Sequence, residues 1–150
     1  MCYCQSSIPF EECCQPIHLQ PNRAQSPHQL MRARYSAFCT RNVDFLNRTS
    51  SSKRPLKRSD LTTHWLSLEV LDHGHNKETG WVEFRAYFKD ESSFKPTVGQ
   101  LHEYSLFEYR SQRGHWVYTS GQPHWSTLQV RRNDPCVCKS GAKWKKCCGS

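Results

Sequence analysis

Nine cysteines stand in a chain of 150 residues, and eight of them fall into two sets with one spacing. Cys2-Tyr3-Cys4, eight residues and Cys13-Cys14 near the start repeat as Cys136-Val137-Cys138, eight residues and Cys147-Cys148 near the end. Two such pairs can converge as the four donors of a tetrahedral metal centre, because zinc takes soft sulfur ligands at about 2.3 Å. Two zinc ions are expected, and iron would suit the same four thiolates. Local disulfides are the competing chemistry. They persist mainly in exported chains, and Met1 to Cys14 has neither the basic start nor the apolar run of a signal peptide.

The segments that must position these sulfurs are too short to bury a core of their own. Ser140-Gly141 supplies a turn after Cys138, and Ala142 to Cys148 allows about one helical turn to bring the second pair around. Ser6-Ser7 and Pro9 play that part in the first copy, with Phe10 to Cys14 as its helical turn. Ligation must therefore hold each knuckle together, and it supplies about 10 kcal/mol or more in small zinc peptides. Zinc with four thiolates keeps a surplus of negative charge, so nearby cations stabilise it and carboxylates oppose it. Lys139, Lys143, Lys145 and Lys146 surround the second set, whereas Glu11 and Glu12 flank the first, which predicts weaker binding at the N-terminal site. Cys39 follows Phe38 in an apolar helical pattern and reads as a core thiol.

The stretch Arg132-Asn133-Asp134-Pro135-Cys136-Val137-Cys138-Lys139-Ser140-Gly141-Ala142-Lys143-Trp144-Lys145-Lys146-Cys147-Cys148-Gly149 resembles the SEC-C motif, the metal-binding tail of the bacterial preprotein-translocase ATPase. It differs at Val137 and Lys139, where Pro and Gly are usual. The first copy differs further, with Gln5 where Gly is usual. Two such motifs around a middle segment that begins His28-Gln29-Leu30-Met31-Arg32-Ala33-Arg34-Tyr35-Ser36-Ala37-Phe38 resemble the YchJ family across nearly the full chain. That resemblance implies a middle domain of the nuclear transport factor 2-like, or cystatin-like, kind: a curved sheet wrapped around helices as a cone with a pocket. It also implies partners, because the translocase tail contacts a secretion chaperone and ribosomes.

The expected organisation is a metal knuckle over 1–20, a middle domain over 27–126 and a second knuckle over 130–150. Within the middle segment, Met31, Tyr35, Phe38, Cys39, Phe45 and Leu46 recur at helical spacing and predict one amphipathic helix with Arg32, Arg34 and Arg41 on its exposed side. The period then changes to two. Leu66, Leu68 and Val70 alternate with polar residues, as do Val82, Phe84, Ala86 and Phe88, and further strands are expected near Gln100 to Arg110 and His115 to Ser120. Turn residues at Gly74 to Gly80, Asp90 to Gly99 and Gln112-Arg113-Gly114 make consecutive strands antiparallel. The fold class is α+β, a helix followed by a curved antiparallel sheet, flanked by the two four-cysteine knuckles.

The formal charge is +8 and the isoelectric point about 9.1, which favours an anionic partner. The tail concentrates that charge, with Arg131, Arg132, Lys139, Lys143, Lys145 and Lys146 against Asp134 alone. Together with Trp144 these residues are the expected partner surface, for an acidic protein, a chaperone or the ribosome. No segment approaches the roughly 18 apolar residues of a membrane span, so a cytoplasmic location is expected. Glu103, Ser105, Phe107 and Tyr109 share one strand face and Trp116 and Tyr118 a face of the next, so Glu103, Ser105 and Tyr118 could line a pocket. No matched acid or nucleophile accompanies Glu103, and no catalytic residue is assigned. His73 and His75 straddle Gly74 at a turn and read as exposed rather than metal-ligating.

Three functions remain open at this point. The leading one is a non-enzymatic adaptor that presents its knuckles to a macromolecular partner. The others are a small-molecule-binding protein or enzyme using the central cone, and a protein for metal storage or delivery.

Overall fold

Helices α1 (Cys14–Leu19), α2 (Pro27–Thr40) and α3 (Val43–Arg48) precede strands β1 (His64–His75), β2 (Thr79–Asp90), β3 (Thr97–Arg110) and β4 (His115–Leu128). The computed structural model describes residues 1–92, 94–95 and 97–150. Ser26 opens α2 by accepting a hydrogen bond from the Gln29 N–H at 3.2 Å. Pro27 follows in the first turn, where a missing N–H breaks no helical bond.

The single expected helix is two. Arg41 takes a left-handed φ of 58° and ends α2, and the Asn42 side chain accepts from the Phe45 N–H at 3.1 Å to cap α3. The apolar pattern ran across this break because both helices face one core: Leu30, Tyr35, Phe45 and Leu46 are all buried in it.

Arg34, expected on the exposed side, is 8% exposed. Its Nη1 donates to Leu46 O at 2.9 Å and Thr49 Oγ1 at 2.7 Å, and its guanidinium lies over the Tyr118 ring, 4.9 Å from the centroid. Burial pulls its pKa down to about 10, which leaves it charged at neutral pH. The helix loses its exposed side because the N-terminal segment covers what the sheet does not. His18 Nε2 donates to Ala33 O at 2.7 Å, Arg32 Nη1 donates to Cys4 O at 2.9 Å, and Cys2 Sγ lies 3.6 Å from Ser36 Oγ.

The sheet is a four-stranded antiparallel meander in the order β1-β2-β3-β4. Register shifts at Trp65/Ser67, Val70/Asp72 and Leu106/Phe107 bend it. One of them corrects the expected alternation in β1: Leu68 joins the helix-side core, but Leu66 packs in a second cluster with Val98, Cys136 and Trp144. A strand bulge changes which face a side chain reaches, and no period-two pattern can announce it. β4 runs to Leu128, past the expected end at Ser120, with Gln122 opposite Tyr104 and Pro123 opposite Glu103. Proline is tolerated there because β4 is an edge strand. Gly114 turns the β3–β4 connection at φ 75°. The turn expected over Asp90 to Gly99 includes residues 93 and 96, which lie outside the described residues.

Two histidines on this scaffold set an acid limit. Burial pushes His18 below its ordinary 6.5, and burial, then Arg32 and His73, push His28 down to about 4. Both rings are neutral in the folded chain at pH values where the unfolded chain binds a proton. Their contribution is therefore complete above about pH 6.5 and is lost as pH falls toward 4. The thermal midpoint should drop across that window, and His28→Asn should make the drop shallower. A slope unchanged by His28→Asn would refute this account.

Candidate metal centres

The two cysteine sets are built alike, position by position. Cys2 N donates to Ile8 O and Cys136 N to Ala142 O, both at 2.8 Å; Gln5 N donates to Cys2 O at 2.9 Å and Lys139 N to Cys136 O at 3.0 Å. Each second pair follows a single 3-10 turn, Phe10–Glu12 or Trp144–Lys146, and Cys13 N and Cys147 N donate to Phe10 O and Trp144 O at 3.1 Å. A serine approaches the third sulfur in each, with Ser6 Oγ 3.1 Å from Cys13 Sγ and Ser140 Oγ 3.3 Å from Cys147 Sγ.

Gln5 and Lys139 adopt left-handed φ values of 70° and 63°. These are the positions where the SEC-C resemblance sets glycine, the residue that enters this region without cost. Gln5 brings a compensation that glycine lacks: its Nε2 donates to Leu66 O at 3.3 Å and its Oε1 accepts from Leu68 N–H at 3.4 Å. Those groups belong to β1, an edge strand with unpaired backbone atoms. The side chain thus ties the first knuckle to the sheet.

The sulfurs of each set lie within 4.8 Å of one another. Cys4 and Cys13 are 3.7 Å apart and Cys13 and Cys14 3.9 Å; Cys138 and Cys147 are 3.5 Å apart and Cys147 and Cys148 3.9 Å. A tetrahedron with about 2.3 Å from ion to sulfur has edges of about 3.8 Å, so the spacing fits a four-thiolate ion. A hydrogen bond from Cys14 pulls the Cys4 thiol down, while that bond and burial push Cys14 up, and burial raises Cys13 and Cys148. Four crowded thiols cannot all ionise unless a cation joins them.

The environments differ. Cys2, Cys4 and Cys14 are 2%, 0% and 1% exposed and share one core with Leu30, Ala33 and Phe45. In the second set only Cys136 is buried, and Cys138, Cys147 and Cys148 are partly exposed. Glu11 and Glu12 are exposed, so water screens the repulsion on which the expectation of a weaker N-terminal site rested.

Around the second set, Arg131, Arg132, Lys139, Lys143 and Lys146 are exposed and Lys145 is half-buried. Among the described residues none of these six forms an ion pair. Trp144, expected to offer an aromatic face to a partner, is instead 5% exposed and packs with Leu66, Val98 and Cys136. Gly149 lies beneath its indole, where a Cβ would collide with Nε1. Cys39 is half-buried against the core, its thiol raised to about 11 by burial. His73 and His75 are exposed; His73 stacks on His28 at 4.1 Å and His75 meets Trp116 edge-on at 5.5 Å. Neither histidine belongs to a metal-ligand group among the described residues. Glu103, Ser105 and Tyr118 line one cavity under α2. Their sequence alternation placed them together, but nothing local marked Arg34, which joins them from the helix.

Residues 26–121 match the family model of the YchJ middle NTF2-like domain, and residues 132–150 match that of the SEC-C motif. A UPF0225 protein of Vibrio cholerae serotype O1 is 39% identical over 156 residues, covering 99% of each chain. A SEC-C motif containing protein from Psychrobacter arcticus, solved by crystallography, is 29% identical with a TM-score of 0.65, covering 99% of this chain and 95% of its own. A SEC-C motif containing protein from Rhodopseudomonas palustris, solved in solution, gives 28% identity and a TM-score of 0.67 over 81% of this chain and 96% of its own. No helix among the described residues is long and apolar enough to cross a membrane.

Proposed function

The chain belongs to the YchJ family of UPF0225 proteins, and on that premise we propose that it is a metal-dependent adaptor whose C-terminal knuckle binds an acidic macromolecular partner. Zinc is the ion assigned to each four-cysteine set, giving two per chain, with Cys2, Cys4, Cys13 and Cys14 as ligands of one and Cys136, Cys138, Cys147 and Cys148 of the other. The observation that carries the reading is the set of exposed cations on the second knuckle, Arg131, Arg132, Lys139, Lys143 and Lys146, none of which forms an ion pair among the described residues. Ligation fixes the backbone beneath them, so a partner's carboxylates or phosphates meet charges that need little further ordering. The partner classes that suit this surface are an acidic protein, a chaperone of that character, or the ribosome. Working units are proposed as 1–20, 27–126 and 130–150, of which the last carries the contact. Storage or delivery of metal is less well supported, because the buried N-terminal sulfurs oppose exchange.

The test is a pull-down from cell extract, first with the intact chain and with one lacking residues 131–150, then with Lys139, Lys143 and Lys146 changed together to alanine. The triple variant should keep its metal and lose capture of the partner at least about tenfold, an effect that weakens as salt rises. Undiminished capture with the metal in place would overturn the proposal.

A further inference from the structure

A cavity of about 320 Å³ lies between α2 and the concave face of the sheet. Met31 and Phe38 of α2, Trp65 of β1, Leu101 of β3 and Trp125 of β4 give it apolar walls, and Arg34, Glu103, Ser105 and Tyr118 give it one polar end. At its lining, Asp60 and Thr63 are exposed and Trp125 is 58% exposed, which marks the mouth. The metal centres and the cationic tail use none of these groups.

The polar end is built around one carboxylate. Ser105 Oγ donates to Glu103 Oε2 at 2.5 Å, and Tyr118 OH donates to the same oxygen at 3.2 Å. Burial and the carboxylate raise the Tyr118 phenol to about 12, so it stays a donor. Gly121 leaves room for this arrangement, since a Cβ there would meet the Tyr118 hydroxyl and the Glu103 carboxylate. Both protein donors serve Oε2, and among the described residues Oε1 receives none.

The charges also select. Arg34 is anchored through Nη1 and lies on the Tyr118 ring; it is attracted by the Glu103 carboxylate but forms no ion pair with it among the described residues. An anionic ligand would set a second negative charge against Glu103, and a cationic one would sit near Arg34. A neutral ligand avoids both costs. Size follows from comparison with an apolar cavity of about 150 Å³ that holds benzene. Twice that volume suits two fused rings.

We propose that this cavity is a binding site for a neutral, bicyclic-sized aromatic molecule that donates one hydrogen bond to Glu103 Oε1. The site stands apart from the adaptor surface, and its test reads neither metal release nor partner capture.

The experiment is an amide-resolved NMR titration of the full, metal-loaded chain with three probes. Indole has two rings and one N–H, 1-methylindole lacks the donor, and indole-5-carboxylate adds a negative charge. Indole should give saturable shifts centred on Trp65, Leu101 and Tyr118, with 1-methylindole at least about tenfold weaker, because it has no N–H to donate to the carboxylate. Indole-5-carboxylate should be weaker still. Glu103→Met should bring indole and 1-methylindole to equal affinity, and the comparison of probes on the unaltered chain stands even if that variant folds poorly. Three results would each overturn the proposal: no saturable shifts with indole at millimolar concentration, equal binding of 1-methylindole to the unaltered chain, or tighter binding of the carboxylate.

Discussion

Cys14→Ser should lower the thermal midpoint of the whole chain by about 10 °C or more, while Cys148→Ser leaves the main transition within a few degrees of the parent. The two residues hold equivalent places in the repeat, so the contrast comes from what surrounds them. Cys14 begins α1 and is buried in the core that includes Leu30, Ala33 and Phe45. The knuckle it closes also carries an aromatic chain into that core: Tyr3 meets Phe10 at 5.3 Å, Phe10 meets His18 at 5.6 Å, and His18 meets Phe45 at 4.6 Å. Ligation worth about 10 kcal/mol is comparable with the stability of an entire small domain, so losing it where it supports the main helix should be felt everywhere. Cys148 belongs to a smaller cluster with Trp144 and Val98, and its loss should free a peripheral segment. A chelator should likewise remove the C-terminal ion first, because three of its four sulfurs are partly exposed. Melting curves and metal content of the two variants decide the matter. Equal losses of midpoint, or earlier release of the N-terminal ion, would show that burial does not govern the sites.

The grouping of the cysteines was legible in the sequence because the repeat is local. Two pairs eight residues apart leave the chain few ways to bring four sulfurs together, so spacing alone led to the sets whose geometry fits an ion. The helix-then-meander order was legible for a similar reason, since hydrophobic period is a property of each segment. What escaped the sequence depends on partners far along the chain. Arg34 looks like a surface residue until Thr49 and Tyr118 close over it. Arg41 breaks a helix whose apolar pattern continues, and residues 121–128 look like a loop until β3 supplies their hydrogen bonds. Gln5 is the sharpest instance: in sequence it is a departure at a glycine position, and only the neighbouring edge strand reveals what its amide does.

Trp144 makes such a long-range contact, and the proposed function depends on it. Its place in the basic tail suggests an aromatic face for a partner, yet the side chain is buried, and its replacement should detach the knuckle from the sheet. A buried Trp→Ala change costs about 3–5 kcal/mol. Here that loss falls on the contact among Trp144, Leu66 and Val98, because the core under α2 is a separate cluster. Trp144→Ala should therefore leave the main melting transition nearly in place while residues 131–150 become sensitive to protease and lose amide protection. Leu66 and Val98 would then meet water. Capture of an acidic partner should fall as well, although every lysine remains, because cations on an unfixed segment must be ordered again at each encounter. Lys143→Ala is the control for protection alone, since its side chain is exposed and its charge is assigned to the partner rather than to the fold. If Trp144→Ala gives protection and binding equal to the parent, the knuckle holds itself by ligation alone and its docking on the sheet plays no part in presenting the charge.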